Sequence, residues 1–189
     1  MTVHRLDIPL TPRTARLARA WRRTSKPATV ESPGPGQESV WDYPRPPAVE
    51  TVPVRVQVFL GSHVVADSRA AVRVLETASP PTVYLPPADV DRATLLPERT
   101  TSVCEWKGTA RYLTVRAGGL LARNAAWYYP DPCEEYALLA DYLSFYPGRM
   151  TRCLYGGEEV TAQAGSFYGG WVTSNLVGPF KGEPGSEGW

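Results

Sequence analysis

Residues 109–129 read TARYLTVRAGGLLARNAAWYY. Two runs rich in branched and aromatic side chains flank Ala117-Gly118-Gly119. Glycine takes positive φ without a steric penalty, so this triplet marks a tight reversal between two strands, 109–116 and 120–129. Within the first run Tyr112 and Thr114 alternate with Leu113 and Val115. That is the two-residue period of a strand with two different faces. The hairpin predicts a mostly β fold.

Other segments follow the same pattern. Residues 52–58 (VPVRVQV) alternate, Gly61-Ser62 turns, and 64–68 return as a second hairpin. Short strands are expected at 72–75 and at 82–85, the latter an edge because proline pairs bracket it. A helical turn or two is expected over 87–96, and a strand over 103–107. Asp131 and Pro132 suit the start of a helix, with Glu134 and Glu135 at the positive end of its dipole. Tyr136, Leu139, Ala140 and Leu143 recur at helical spacing until Pro147-Gly148. A third hairpin, 150–155 with 159–162, turns at Gly156-Gly157. The expected architecture is antiparallel hairpins in two sheets with one helix packed on them.

Composition narrows the class. The chain has 189 residues, 43% of them hydrophobic, enough for one domain with a core. Its 19 prolines are about twice the usual share and weigh against a helical fold. No apolar run is long enough to span a membrane, and no secretory leader is visible. Cys104, Cys133 and Cys153 are dispersed, with no CxxC pair. That argues against a disulfide framework and a metal site, and suits a cytoplasmic location. Residues 1–40 hold seven of the 20 basic side chains and three of the 19 acidic ones, so the remainder is slightly acidic. The domain therefore lacks the positive excess of a nucleic-acid binder.

We divide the chain into a basic, flexible arm, residues 1–37, and a single β-rich domain, 38–189, with a Gly-rich tail. The arm can form a short amphipathic helix over 13–26, with Leu17, Ala20 and Trp21 on one side. Pro33-Gly34-Pro35-Gly36 ends it. A solvated arm and a weak nucleic-acid or membrane-surface contact are both open readings.

Several motifs resemble one family. They are Trp41-Asp42-Tyr43-Pro44, Val65-Ala66-Asp67-Ser68, Tyr84-Leu85-Pro86, Cys104-Glu105-Trp106-Lys107-Gly108, Asn124-Ala125-Ala126-Trp127-Tyr128-Tyr129, Phe145-Tyr146 and Tyr168-Gly169-Gly170-Trp171. Together they are similar to the bacterial domain of unknown function 427 family, which is also filed under a nucleotidyltransferase-like name. The resemblance covers about residues 40–189. It implies a β-tent fold, two antiparallel sheets pinned at one edge and splayed at the other. Many β-tent proteins pin the sheets with a four-cysteine zinc site; three cysteines cannot supply one.

Three groups can carry chemistry. If 104–107 is a strand, Glu105 and Lys107 share one face and can act as base and acid or stabiliser, with Tyr112 as proton donor on the next strand. The plainer reading is a surface ion pair. Trp106, Asn124, Trp127, Tyr129 and Trp171 can wall an aromatic pocket, or simply pack. Arg69, beside Asp67 and Glu76, can hold a carboxylate or phosphate, or anchor the first hairpin. Nucleotidyl transfer needs metal-holding carboxylates and a phosphate cradle. The chain offers no Walker-type loop, and its one Asp-x-Asp, Asp89-Val90-Asp91, follows Gly61-Ser62 too late. With His4 and His63 the only histidines, a Cys–His nucleophile is poorly supplied.

The reading reached is a small-molecule-binding β domain with an aromatic pocket and no cofactor. An acid/base enzyme using the same pocket without metal, and a protein-interaction module, are the alternatives.

Overall fold

The computed structural model describes residues 3–20 and 26–189. At its centre Gly108–Ala117 pairs antiparallel with Leu120–Tyr128, and Gly118 and Gly119 turn between them at φ +55° and +77°. Leu95–Cys104 and Leu143–Phe145 complete a four-stranded sheet. The two faces of the hairpin separate as its alternation predicts. Leu113, Val115, Ala122 and Ala126 enter an aliphatic core, whereas Ala110, Tyr112, Trp127 and Tyr129 enter an aromatic cluster.

The fold is mostly β, and among the described residues it has three four-stranded sheets where the hairpin reading expects two sheets in all. The second sheet holds Ala48–Thr51, Val72–Leu75 and Thr82–Tyr84, with Arg5–Leu6 at its edge. The third holds Val56–Leu60, His63–Ser68, Arg152–Tyr155 and Glu158–Glu159. The run 52–58 does not stay one strand: 48–51 and 56–60 lie in different sheets, with Pro53 between them. Proline cannot donate to a ladder, and it separates the two pairings. Thr161–Ala162 pairs with Trp171–Val172, and Leu176–Val177 runs parallel to Glu38–Ser39. Leu85 and Leu143 exchange backbone hydrogen bonds of 2.9 and 2.8 Å, tying the second sheet to the central one.

The helix expected after Asp131 is replaced by a 3-10 stretch, Glu134–Leu139, that breaks at Tyr136 (φ −113°, ψ 20°). Tertiary contacts override the local period here. Tyr136 is fully buried and donates its hydroxyl to the Pro47 carbonyl at 2.9 Å. Leu143 is taken by strand pairing with Tyr128. Residues 87–96 supply two 3-10 turns, Pro87–Asp89 and Arg92–Thr94.

Among the described residues the one α-helix is Pro12–Ala20, within the segment read as an arm. Trp21, expected on its apolar side, lies outside the described residues. The segment does not stand free of the domain. Arg5–Leu6 pairs with Ala48–Thr51, and Leu6, Ile8 and Leu17 pack on the aromatic cluster. The Thr11 hydroxyl donates to the buried Glu135 carboxylate, and Arg13 lies 3.6 Å from it. Arg13 also donates to the Glu105 carbonyl. Among the described residues no helix is long and apolar enough to cross a membrane.

Candidate functional site

The expected strand 103–107 stops at Cys104. Residues 105–107 form the turn into Gly108, whose φ of +97° is one that side chains rarely adopt. A turn has no two-residue alternation, so three neighbours diverge. Glu105 is exposed, Trp106 is buried in the aromatic cluster, and Lys107 is buried with 7% of its surface exposed. The Cys133 amide donates to the Lys107 carbonyl at 3.0 Å and pins the turn from below.

Lys107 lines a cavity of about 190 Å³ on the aromatic face of the central sheet. Tyr112, Trp127 and Tyr129 come from the central hairpin and its exit, Tyr84 from the neighbouring sheet, and Tyr146 from the end of Leu143–Phe145. Trp127 and Tyr146 have ring centroids 4.4 Å apart, and Tyr84 meets Trp127 edge-on at 6.3 Å. The Trp127 indole N–H donates to the Tyr84 hydroxyl at 3.4 Å. Phe167, Tyr168 and Gly169, from the tail, add another wall. Gly169 lies so close to the Trp127 ring that a Cβ would stand 2.8 Å from Cζ3. Glycine here is a steric requirement. Phe167 and Val103, both largely exposed, mark the rim.

The electrostatics are lopsided. Burial alone pulls the Lys107 ammonium down, but Cys104, Tyr84, Glu76 and Tyr136 around it hold it above its ordinary range. It is therefore charged at neutral pH, yet Lys107 Nζ makes no hydrogen bond or ion pair among the described residues. Burial raises the Tyr84, Tyr129 and Tyr146 hydroxyls well above the usual range, so the rings are neutral walls. Burial, then Arg45, lowers Lys181, the second ammonium in the lining. Glu76 is the single carboxylate among the lining residues described, and Arg45 pairs with it at 2.8 Å.

Of the ten residues singled out from sequence, five line this cavity: Lys107, Tyr112, Trp127, Tyr129 and Glu76. Glu105 is outside it, so the shared Glu105–Lys107 face does not form. Trp106 packs in the cluster without reaching the cavity. Trp171 is in the aliphatic core, its indole N–H donated to the Phe145 carbonyl at 3.0 Å. Asn124 sits at φ +48° in a bulge of Leu120–Tyr128, where its amide donates to Thr114 Oγ1. Arg69 is exposed and lines a different surface hollow with His4, while Asp67 is taken by Arg55.

Sequence reasoning passed over Tyr84, Tyr146, Gln163, Tyr168 and Lys181. Tyr84, Tyr146 and Tyr168 all stand in motifs that carry the family resemblance, which was the available signal. Gln163 and Lys181 had none. Gln163 accepts from the Gly170 amide at 3.0 Å and donates to the Lys181 carbonyl at 2.7 Å, so it braces the tail that closes the cavity.

The sequence model of one family, described as Domain of unknown function (DUF427), matches residues 48–156. No curated protein matches the chain. The matched span holds the central hairpin, the 105–107 turn and five of the aromatic walls, and stops before the tail.

Proposed function

The chain belongs to the DUF427 family, and from that premise we propose that it is a small-molecule-binding β domain whose site is the cavity lined by Lys107 and the aromatic rings. One observation carries this reading. The Lys107 ammonium, buried and without a hydrogen bond or ion pair among the described residues, lines a cavity inside the protein. Its neighbours supply favourable charge but no hydrogen bond, which leaves its N–H groups for an acceptor inside the cavity. The aromatic walls supply apolar area around it, the usual composition of a ligand pocket.

The acid/base alternative is less well supported. Glu105, its base, is exposed outside the cavity, and Glu76 is engaged by Arg45. The interaction-module alternative needs an exposed aromatic surface. Most of these rings are turned inward, Phe167 being the exposed exception.

The test is native mass spectrometry of the purified chain after incubation with a clarified bacterial extract. The wild type should keep a small-molecule mass increment that Lys107→Met loses. An increment shared equally by both proteins, or absent from both, would remove Lys107 and this cavity from the function.

A further inference from the structure

The binding reading leaves the ligand's chemistry open, and the lining narrows it. Two ammoniums, Lys107 and Lys181, face one carboxylate, Glu76, which already has Arg45 as its counter-ion. The cavity is therefore net positive. The Lys107 ammonium, the buried one of the two, makes no hydrogen bond among the described residues and is a donor with no acceptor function. What completes it is a hydrogen-bond acceptor, and the net positive lining favours an anionic one. Around it the walls are neutral rings, Tyr84, Trp127, Tyr129 and Tyr146, which favour a flat or apolar body over a hydrated one. Size sets a further bound. An engineered cavity of about 150 Å³ takes up benzene, so about 190 Å³ accommodates one ring and a small acidic group.

We propose, resting on the binding reading above, that the site takes a small planar organic carboxylate, its acid group on Lys107 and its ring among Tyr84, Trp127 and Tyr146. A carboxylate is favoured over a phosphate dianion because the site offers one buried cation. The second, Lys181, is half-exposed on the tail, 5.5 Å from the Tyr168 ring centroid. Phosphate recognition usually gathers several donors or a guanidinium fork. Lys107 acts here as a fixed charge. It holds its proton at neutral pH, so it serves neither as base nor as imine-forming nucleophile.

The experiment titrates the full chain with benzoate, with benzamide as its neutral isostere, and with inorganic phosphate, followed by Trp fluorescence and calorimetry. Benzoate should bind saturably, and benzamide and phosphate each at least tenfold more weakly, the factor expected for one charge-assisted hydrogen bond. Lys107→Met should abolish the benzoate preference, and Lys107→Arg should keep part of it. The wild-type comparison alone decides the matter if either variant fails to fold. Benzoate and benzamide binding equally would overturn the carboxylate class while leaving the cavity a binding site. Phosphate binding tighter than benzoate would overturn it in favour of a phosphate ligand. If none of the three binds, the carboxylate proposal falls. The extract experiment then separates the two ideas: a neutral adduct preserves the binding reading, and no adduct removes both.

Discussion

At the scale of single residues, Lys107 is the informative one, because its position opposes the ordinary preference of lysine for solvent. Its neighbours hold the ammonium above its ordinary range, so folding favours the charged form even in the empty protein. Lys107→Met removes that charge and should lower the thermal midpoint at neutral pH, by on the order of 1 kcal/mol. An unchanged or raised midpoint in a thermal melt would mean that these neighbours do not compensate the buried charge. Single-residue legibility was uneven, for identifiable reasons. Trp127 and Tyr129 were found because a strand's alternation fixes the face of every second residue. Glu105 and Trp106 were misplaced because the same rule was carried one step past Cys104 into a turn. Gly108 was the clue, a glycine at positive φ where the next strand begins.

At the scale of elements, the hairpins were readable and the helix was not. Glycine turns at 61, 118–119 and 156–157 fall where the sequence places them, since turn chemistry is local. The 131–143 period was helical, but the side chains that made it so serve different neighbours. Tyr136 reaches Pro47, and Leu143 joins a sheet. Glu135 in the same stretch fastens the amino-terminal helix, and its pH behaviour tests that role. Burial raises its carboxyl, but the Thr11 hydroxyl, a backbone hydrogen bond and Arg13 outweigh this and leave it below the ordinary value. A group lowered in the folded state stabilises it above the unfolded pKa, about 4.3 for glutamate, and the gain is lost as pH falls through the folded value. Wild type should thus melt above Glu135→Gln at neutral pH, by on the order of 1–2 kcal/mol. The gap should close as pH falls through the lowered folded value. A gap that persists in acid, or is missing at neutral pH, would mean that the carboxylate charge does not hold the helix.

At the scale of the whole molecule, class was legible and assembly was not. Alternation tells which strands exist, but not that 152–155 will join 56–60, or that 5–6 will join 48–51. Those choices depend on shapes completed by residues far apart in sequence. The cavity shows the same limit. Its floor comes from one hairpin, while Tyr84 and Tyr168 arrive from segments on either side. A boundary at residue 37 is open to a direct test. Chain 38–189 loses an edge strand and the packing of Leu6, Ile8 and Leu17. Its thermal midpoint should fall by on the order of 3 kcal/mol, about 6–12 °C for a chain of this size. An unchanged midpoint would make residues 1–37 an independent arm.

The docking of that segment also has a consequence for time. Thr11 meets Glu135 across 124 residues, and Arg13 meets Glu105 across 92. The segment leaves the ribosome before residues 105–139, so its receiving surface exists only after the central hairpin and the 3-10 stretch have emerged and closed. These contacts close long loops, so they are expected to form after the folding barrier has been crossed. Contacts of that kind slow unfolding and leave folding speed alone. The truncated chain, 38–189, should refold as fast as the whole one and come apart sooner, so that residues 5–20 act as a late clasp on a domain already built.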